Sequence, residues 1–322
     1  MKRGIRCAVL AVMLLAVLPI QTRAAELLIP VGKIIGLQLR SGTVTVAAYD
    51  DALGGAARSS GLRIGDEIVS VDGIAVNCAE DVRSVLNQCG QTVSITVRRE
   101  GKLNTVRIAP KVTGDGKKLG VYLRQGIAGI GTVTFYDPDT GAFGTLGHGV
   151  SDGKGNLLEM ADGAAYEAAI GAVIKGKCGE PGQLKGTADA VEVFGTLLRN
   201  TPQGVFGITN RGWKGEPLPV ADYEEIQTGE AFIRSTVSTE GVQEYSVDIL
   251  KIYPQGRSDG RNFLIRVTDP ELLAITGGIV QGMSGSPICQ NGKIVGAVTH
   301  VLVNDPTMGY GIFIENMLDA AG

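Results

Sequence analysis

Histidine is scarce in this chain: two residues, His148 and His300, among 322. There is no His-Glu-x-x-His, and two imidazoles seldom suffice for a catalytic zinc, so a metal centre is not expected. No cofactor motif is present either. The body of the chain has no basic cluster and the net charge is -3, which excludes nucleic acid as a partner. Long hydrophobic runs are missing: the apolar stretch Ala8 to Ile20 covers only about 13 residues. It follows Lys2, Arg3 and Arg6, and that order is the one of a signal peptide rather than of a membrane span. Thr22-Arg23-Ala24 is a poor small-x-small cleavage site, so residues 1–25 read as a signal peptide or as an anchor left in place. Cys7 precedes the run and is therefore not a lipoprotein cysteine. Export permits disulfides. Cys78 and Cys89 flank a helical pattern and stand about 16 Å apart along it, beyond the reach of a bridge. Cys178 with Cys289 stays open. Aromatics make up 5% of the chain, so the interior is aliphatic.

What is abundant is glycine, 47 residues scattered among short apolar runs. That favours a mainly β chain of short strands and tight turns. Thr92–Arg98 and Leu103–Ile108 alternate on either side of Arg99-Glu100-Gly101-Lys102 and predict a hairpin. Val82, Val85 and Leu86 predict a helix over 79–87. Ahead of it lies Gly61-Leu62-Arg63-Ile64-Gly65-Asp66-Glu67-Ile68-Val69-Ser70-Val71-Asp72-Gly73. This block resembles the PDZ domains attached to bacterial periplasmic proteases and places a PDZ-like domain over 31–112. The resemblance implies a groove that takes an extended peptide by strand addition and its carboxylate on a loop of backbone N–H groups. The matching loop is Ile35-Gly36-Leu37-Gln38-Leu39, with Gln38 where the second glycine is usual. The polar, basic stretch 113–120 reads as a linker.

Residues 121–322 show apolar runs broken by glycine turns, and the pattern predicts an antiparallel barrel or sandwich. Asp269-Pro270 opens, and Gly277-Gly278 closes, the clearest helix. The sharpest signal is Gly282-Met283-Ser284-Gly285-Ser286-Pro287. A serine between glycines can sit on a tight turn with its hydroxyl exposed. The N–H groups of Gly282 and Ser284 can then serve one oxygen as an oxyanion hole. Pro287 forbids a helix directly after the serine, so the α/β-hydrolase elbow does not apply. A hairpin through Asn291-Gly292 follows instead. Nucleophile turn plus hairpin resembles the Gly-Asp-Ser-Gly-Gly-Pro segment of trypsin-like proteases and implies their antiparallel barrel. Met283 stands where the aspartate would be, so activation by a freed N-terminus has no support.

A serine nucleophile needs a base, and imidazole is the usual one. His148, flanked by Gly147 and Gly149, suits a base at a barrel rim. His300 and Thr299 lie on the strand where trypsin-like enzymes hold substrate backbone and read as cleft residues. Asp269 is the preferred carboxylate partner of the base, ahead of Asp152, Asp162 and Asp248, although it is also an ideal helix cap. A cysteine nucleophile at Cys178 or Cys289 has no motif behind it.

Five stretches carry a wider resemblance: Phe143 to Asp152, Asn210-Arg211-Gly212, Val267 to Leu273, Thr276 to Pro287, and Val298 to Pro306. With them the chain resembles the SpoIVB peptidases of endospore-forming bacteria, from the leader through the PDZ domain to the peptidase domain. The family's catalytic histidine, aspartate and serine match His148, Asp269 and Ser284. The resemblance implies secretion from the forespore into the space between the membranes and self-cleavage. It also implies cleavage of a membrane-bound regulator of an intramembrane protease, which releases sigma-factor activation during sporulation. The competing reading is a non-catalytic PDZ adaptor with an inactive barrel.

Overall fold

A computed structural model of the chain describes residues 26–153, 155–257 and 259–322. The leader expected over 1–25 lies outside the described residues. No helix among the described residues is long and apolar enough to cross a membrane.

The described residues form two antiparallel barrels and a PDZ-like unit. The first barrel is a ring of six strands, closed by pairings rather than by chain order. Ile34–Tyr49 pairs with Val121–Tyr136 and, through its first half, with Asp162–Ile174. The ring continues through Gln183–Thr201, Gly204–Ile208 and Ala142–Thr145, back to Val121–Tyr136. Alternation along Ile34–Arg40 turns Ile35, Leu37 and Leu39 into this barrel's core with Val133, Phe143, Phe194 and Leu197. Ile34 points the other way and joins the core of the second barrel.

The second barrel closes in the order Gly229–Ser238, Gly241–Ile252, Phe263–Val267, Asp305–Phe313, Lys293–Leu302, Pro287–Gln290. Its core is aliphatic with two phenylalanines, Phe263 and Phe313, packed edge to face at 4.6 Å. The hairpin between Gln290 and Lys293 turns on Asn291 at φ 52° and Gly292 at φ 75°, the left-handed pair a two-residue hairpin needs. Asp269 caps Pro270–Thr276, and Gly277 at φ 74° ends it, as the sequence predicts. Between the barrels lies an apolar seam of Leu28, Phe135, Phe206, Ile294, Ala297 and Ile312, closed off by the C-terminal helix Ile314–Ala321.

The PDZ-like unit has its own core of Val44, Val46, Leu62, Ile68, Val82, Leu86, Ile95 and Val97. The predicted hairpin is Val93–Arg99 with Lys102–Ile108, and the predicted helix is Ala79–Gln88. The Gly65-Asp66 motif has a plain physical role. Asp66 is 1% exposed, accepts the Arg63 amide at 2.8 Å and holds the Arg99 guanidinium through both oxygens at 2.6 Å. Burial opposes its charge, but Arg99 and the Arg63 amide outweigh burial and leave its pKa lowered.

The boundaries differ from those read in the sequence. The unit is inserted into the first barrel, because Ile34–Tyr49 leaves the barrel at Arg40 and enters the PDZ sheet at Val44. Val121–Tyr136 makes the return journey, pairing Arg124 with Thr45 and Gly126 with Arg40. Residues 113–120 are not a free linker. Lys111–Thr113 and Gly116–Lys118 form a hairpin folded onto the helix, where Lys117 bonds the Cys89 carbonyl.

Candidate functional site

The chemistry-bearing residues meet where the barrels meet. In the first barrel, Ala142–Thr145 ends in two left-handed residues, Leu146 at φ 71° and Gly147 at φ 66°. They swing His148 out of the strand. A left-handed leucine costs about 1–2 kcal/mol. Packing holds it there: Leu146 is buried and its amide donates to Thr132 O at 3.2 Å. A Cβ on Gly147 would stand 2.9 Å from Thr299 Cγ2, so only glycine lets this turn lie against the second barrel. Beyond His148, the Asn200 side chain clamps Val150 N and O and Leu158 O, each at 2.8–2.9 Å.

The nucleophile loop of the second barrel is fixed by its carbonyls. Thr132 Oγ1 donates to Gly282 O at 2.8 Å, Thr132 N to Ser284 O at 3.1 Å, and Thr134 Oγ1 to Gly285 O at 2.8 Å. Both threonines are buried on Val121–Tyr136 of the first barrel. Met283 is fully buried, and Gly282 and Gly285 turn at φ 100° and 95°. Gly285 N is used by Val298 O, whereas the amides of Gly282 and Ser284 donate to no acceptor among the described residues. Thr132 and Thr134 were missed in the sequence. Their signal was the alternation Gly131-Thr132-Val133-Thr134-Phe135, which puts two hydroxyls on one face of a strand.

Ser284 is half-buried, and its hydroxyl donates to Thr299 O at 2.8 Å. Thr299 therefore serves the site through its carbonyl. Its side chain is 2% exposed and turned towards Gly260 O at 2.9 Å, not into a cleft as expected. His148 Nδ1 lies 3.0 Å from Gly149 O. A carbonyl only accepts, so Nδ1 carries the proton and Nε2 keeps its lone pair. Burial lowers the His148 pKa, and the Gly149 carbonyl partly opposes that. His300 faces His148 with ring centroids 5.5 Å apart. Its pKa is pushed down to about 4, chiefly by burial and then by His148 and Arg261.

Asp269 is not brought to either ring. Its carboxylate accepts the amides of Glu271 and Leu272 at 2.9 Å and of Ser246 at 3.3 Å. Capping and orienting compete for the same oxygens, and the cap has them. Asp152 accepts the Asn156 amide, and Asp162 pairs with Arg40 at 2.8 Å. Asp248 stands opposite Arg266 in the second barrel. Cys289 is a half-buried thiol whose pKa desolvation pushes up to about 12, far from a thiolate, and Cys178 is exposed; both are free. No cluster of metal-ligating side chains occurs among the described residues.

Ile35-Gly36-Leu37-Gln38-Leu39, read as the carboxylate loop, is buried barrel strand with Val121–Tyr136 on one edge and Asp162–Ile174 on the other. With both edges paired, no peptide can add there. The groove of the PDZ-like unit lies elsewhere, about 400 Å³ between the helix Ala79–Gln88 and Leu119–Leu123. There Val121–Arg124 pairs with Thr45–Tyr49, and its other edge has no strand partner among the described residues. Gly120 at φ 76° makes the turn into it, and a Cβ would strike Leu53 O at 2.2 Å. The glycine in Lys118-Leu119-Gly120-Val121 was the signal passed over when 113–120 was read as a linker. A larger cavity of about 650 Å³, between the Asp152–Ala161 segment and the Arg98 end of the PDZ hairpin, includes neither histidine nor Ser284.

Two family models match the chain. The one described as SpoIVB peptidase S55 covers residues 115–318, and a PDZ domain model covers 34–109. Among solved structures, the active form of the Rv3671c protease from M. tuberculosis is 16% identical. That match has a TM-score of 0.36, over 62% of this chain and 75% of that one. The inactive form of the Rv3671c protease is 14% identical with a TM-score of 0.35, over 61% of this chain and 85% of that one.

Proposed function

The chain belongs to the SpoIVB peptidase S55 family, and on that premise we propose that it is a serine endopeptidase with Ser284 as nucleophile and His148 as base. The observation that carries this is the seam itself. The Ser284 loop of the second barrel is held by Thr132 and Thr134 of the first. His148, on a turn of the first barrel, lies 5.5 Å ring to ring from His300, the residue after Thr299, whose carbonyl takes the Ser284 hydroxyl; this supports the reading.

In the reaction, Ser284 Oγ leaves Thr299 O, gives its proton to His148 Nε2 and bonds to the scissile carbonyl carbon. The carbonyl π electrons move onto oxygen, which takes the free amides of Gly282 and Ser284. His148 then returns the proton to the leaving amine as the C–N bond breaks, and water repeats the sequence on the acyl-enzyme. The lowered His148 pKa keeps the base neutral at mildly acidic pH.

The substrates in this reading are the protein itself and a membrane-bound regulator of an intramembrane protease, met on the outer side of the membrane during sporulation. The unpaired edge of Val121–Arg124 and the adjoining groove take an extended peptide from such a partner by strand addition. Labelling by a fluorophosphonate tests the reading. Wild type should be modified at Ser284, and Ser284→Ala should be folded, unlabelled and about 10⁶-fold slower in turnover. Peptide cleavage or self-processing by purified Ser284→Ala at the wild-type rate would overturn it, and a non-catalytic adaptor would not label.

A further inference from the structure

When Ser284 attacks a peptide carbonyl, the side chain of the residue that owns this carbonyl hangs close beside the reacting carbon. The depth of the hollow that receives it decides which peptides a serine peptidase cuts. Two walls flank that place. One is the strand after the loop: Thr299, whose carbonyl holds the Ser284 hydroxyl, then His300 and Val301. The other is Gly278 to Gly282, the run that leads into the serine. Gly309 lies opposite Val301 in the ladder and forms the floor. Walls and floor are drawn together. Ile279 N donates to Pro306 O at 2.8 Å, and a Cβ on Gly278 would lie 2.1 Å from that same oxygen, so the run sits flush on Asp305–Phe313. The Ile279 side chain is 2% exposed and covers Gly309, where a Cβ would stand 2.5 Å from Ile279 Cδ1. The space that a glycine at 309 leaves open is thus filled by an isoleucine.

We propose, resting on Ser284 as nucleophile, that Ile279 and Val301 make this hollow shallow and restrict the protein to cutting after small uncharged residues, no larger than valine. Neither wall can retreat to admit more. Gln281 is laced to the long hairpin of the first barrel, its N–H donating to Gly182 O at 2.9 Å and its carbonyl accepting Leu184 N at 2.8 Å. Ile279 belongs to the close-packed core of the second barrel, and Val301 packs against that core. A buried isoleucine there has no empty space to swing into. Size excludes aromatic and long aliphatic side chains. Charge excludes lysine and arginine, because neither wall contains a carboxylate and the cation would be desolvated without a partner. The substrate class is therefore a peptide with alanine, serine or valine on the acyl side of the cut.

The test is cleavage by the full chain of fluorogenic peptides that differ only in the residue before the cut. Ser284→Ala serves as the blank, and fluorophosphonate labelling counts the competent enzyme. Wild type should cut after alanine or valine with kcat/KM about 10²-fold above that after phenylalanine, lysine or arginine. Ile279→Ala opens space over Gly309. With rates normalised to the labelled fraction, it should raise kcat/KM after leucine relative to alanine by about tenfold. If that variant folds poorly, Ile279→Val should move the ratio the same way by less, and the wild-type profile decides by itself. A labelled wild type that prefers a basic, aromatic or long aliphatic residue, or that cuts after all of them alike, would overturn the proposal. So would a folded Ile279→Ala that keeps the wild-type ratio. A wild type that fails to label at Ser284 would instead remove the peptidase reading on which the proposal stands.

Discussion

The second barrel is one uninterrupted stretch from Gly229 to Phe313, and its ring closes mostly between neighbours in the chain. The first takes Ile34–Arg40, leaves for the PDZ-like unit and resumes at Gly126. The self-contained barrel carries Ser284 and His300; the interrupted one carries His148, Thr132 and Thr134. The half that holds Ser284 thus depends least on the inserted unit. The half that holds His148, and the threonines that fix the Ser284 loop, shares two strands with it. The candidate site and the PDZ-like groove are therefore built on common backbone rather than on separate modules joined by a tether.

The sharpest way to break that comparison is to cut the insert out at two different places. Deleting 31–112 removes Ile34–Arg40, one of the first barrel's six strands, and should give no folded peptidase by circular dichroism or soluble yield. Excising 42–124 and joining Ser41 to Gln125 through a two-residue Asn-Gly turn keeps the Arg40–Gly126 pair. That variant should fold and still label at Ser284. Equal behaviour of the two deletions would show that the insert and the barrel are independent.

A smaller effect comes from Arg99→Ala, which leaves Asp66 buried without its cation. The loss should be roughly 2–3 kcal/mol, below the full cost of an unpaired buried charge because Arg99 is partly exposed. Thermal melts should show it, with hydrolysis of a small ester at Ser284 near wild type at temperatures below the transition. The smallest effect separates the barrels by pH. His148 and His300 both have folded pKa values below the ordinary imidazole range. The unfolded chain binds protons first as pH falls, so the stability they contribute is full at neutral pH. It is lost progressively below about 6.5. Melts at pH 7 and pH 5 should differ by less in His300→Ala than in wild type, His300 being the more strongly shifted of the two.

Much of this was legible along the chain. The Asn291-Gly292 hairpin, the capped helix Pro270–Thr276 and the helix Ala79–Gln88 all stand where local chemistry puts them, because each is decided by residues within one turn or one periodic run. The tight turn around Ser284 was legible for the same reason, Gly282 and Gly285 both taking positive φ. What was not legible depended on pairing across long stretches. Ile35–Leu39 has a pattern equally good for a PDZ edge and a barrel interior, and only its partners, about 90 and 130 residues away, decide. Asp269 met both requirements of a cap and of a triad member on paper. Its direction is set by the Ser246 amide on a different strand, which spacing does not reveal.

The insertion also sets an order of assembly. Pairing Arg40 with Gly126 in an unfolded chain means closing a loop of 86 residues (126 less 40), at an entropy cost of about 4 kcal/mol. When the PDZ-like unit folds first, Val44 is already paired beside Ile68 and Thr45 beside Arg124, so the two barrel strands leave it side by side. The long-range contact becomes a short one, and the ring can zip from Arg40 towards Ile34 as a hairpin would. On this argument the PDZ-like unit would act as a nucleus for the first barrel. A substitution that unsettles it should slow the maturation of a site whose contacts it never touches.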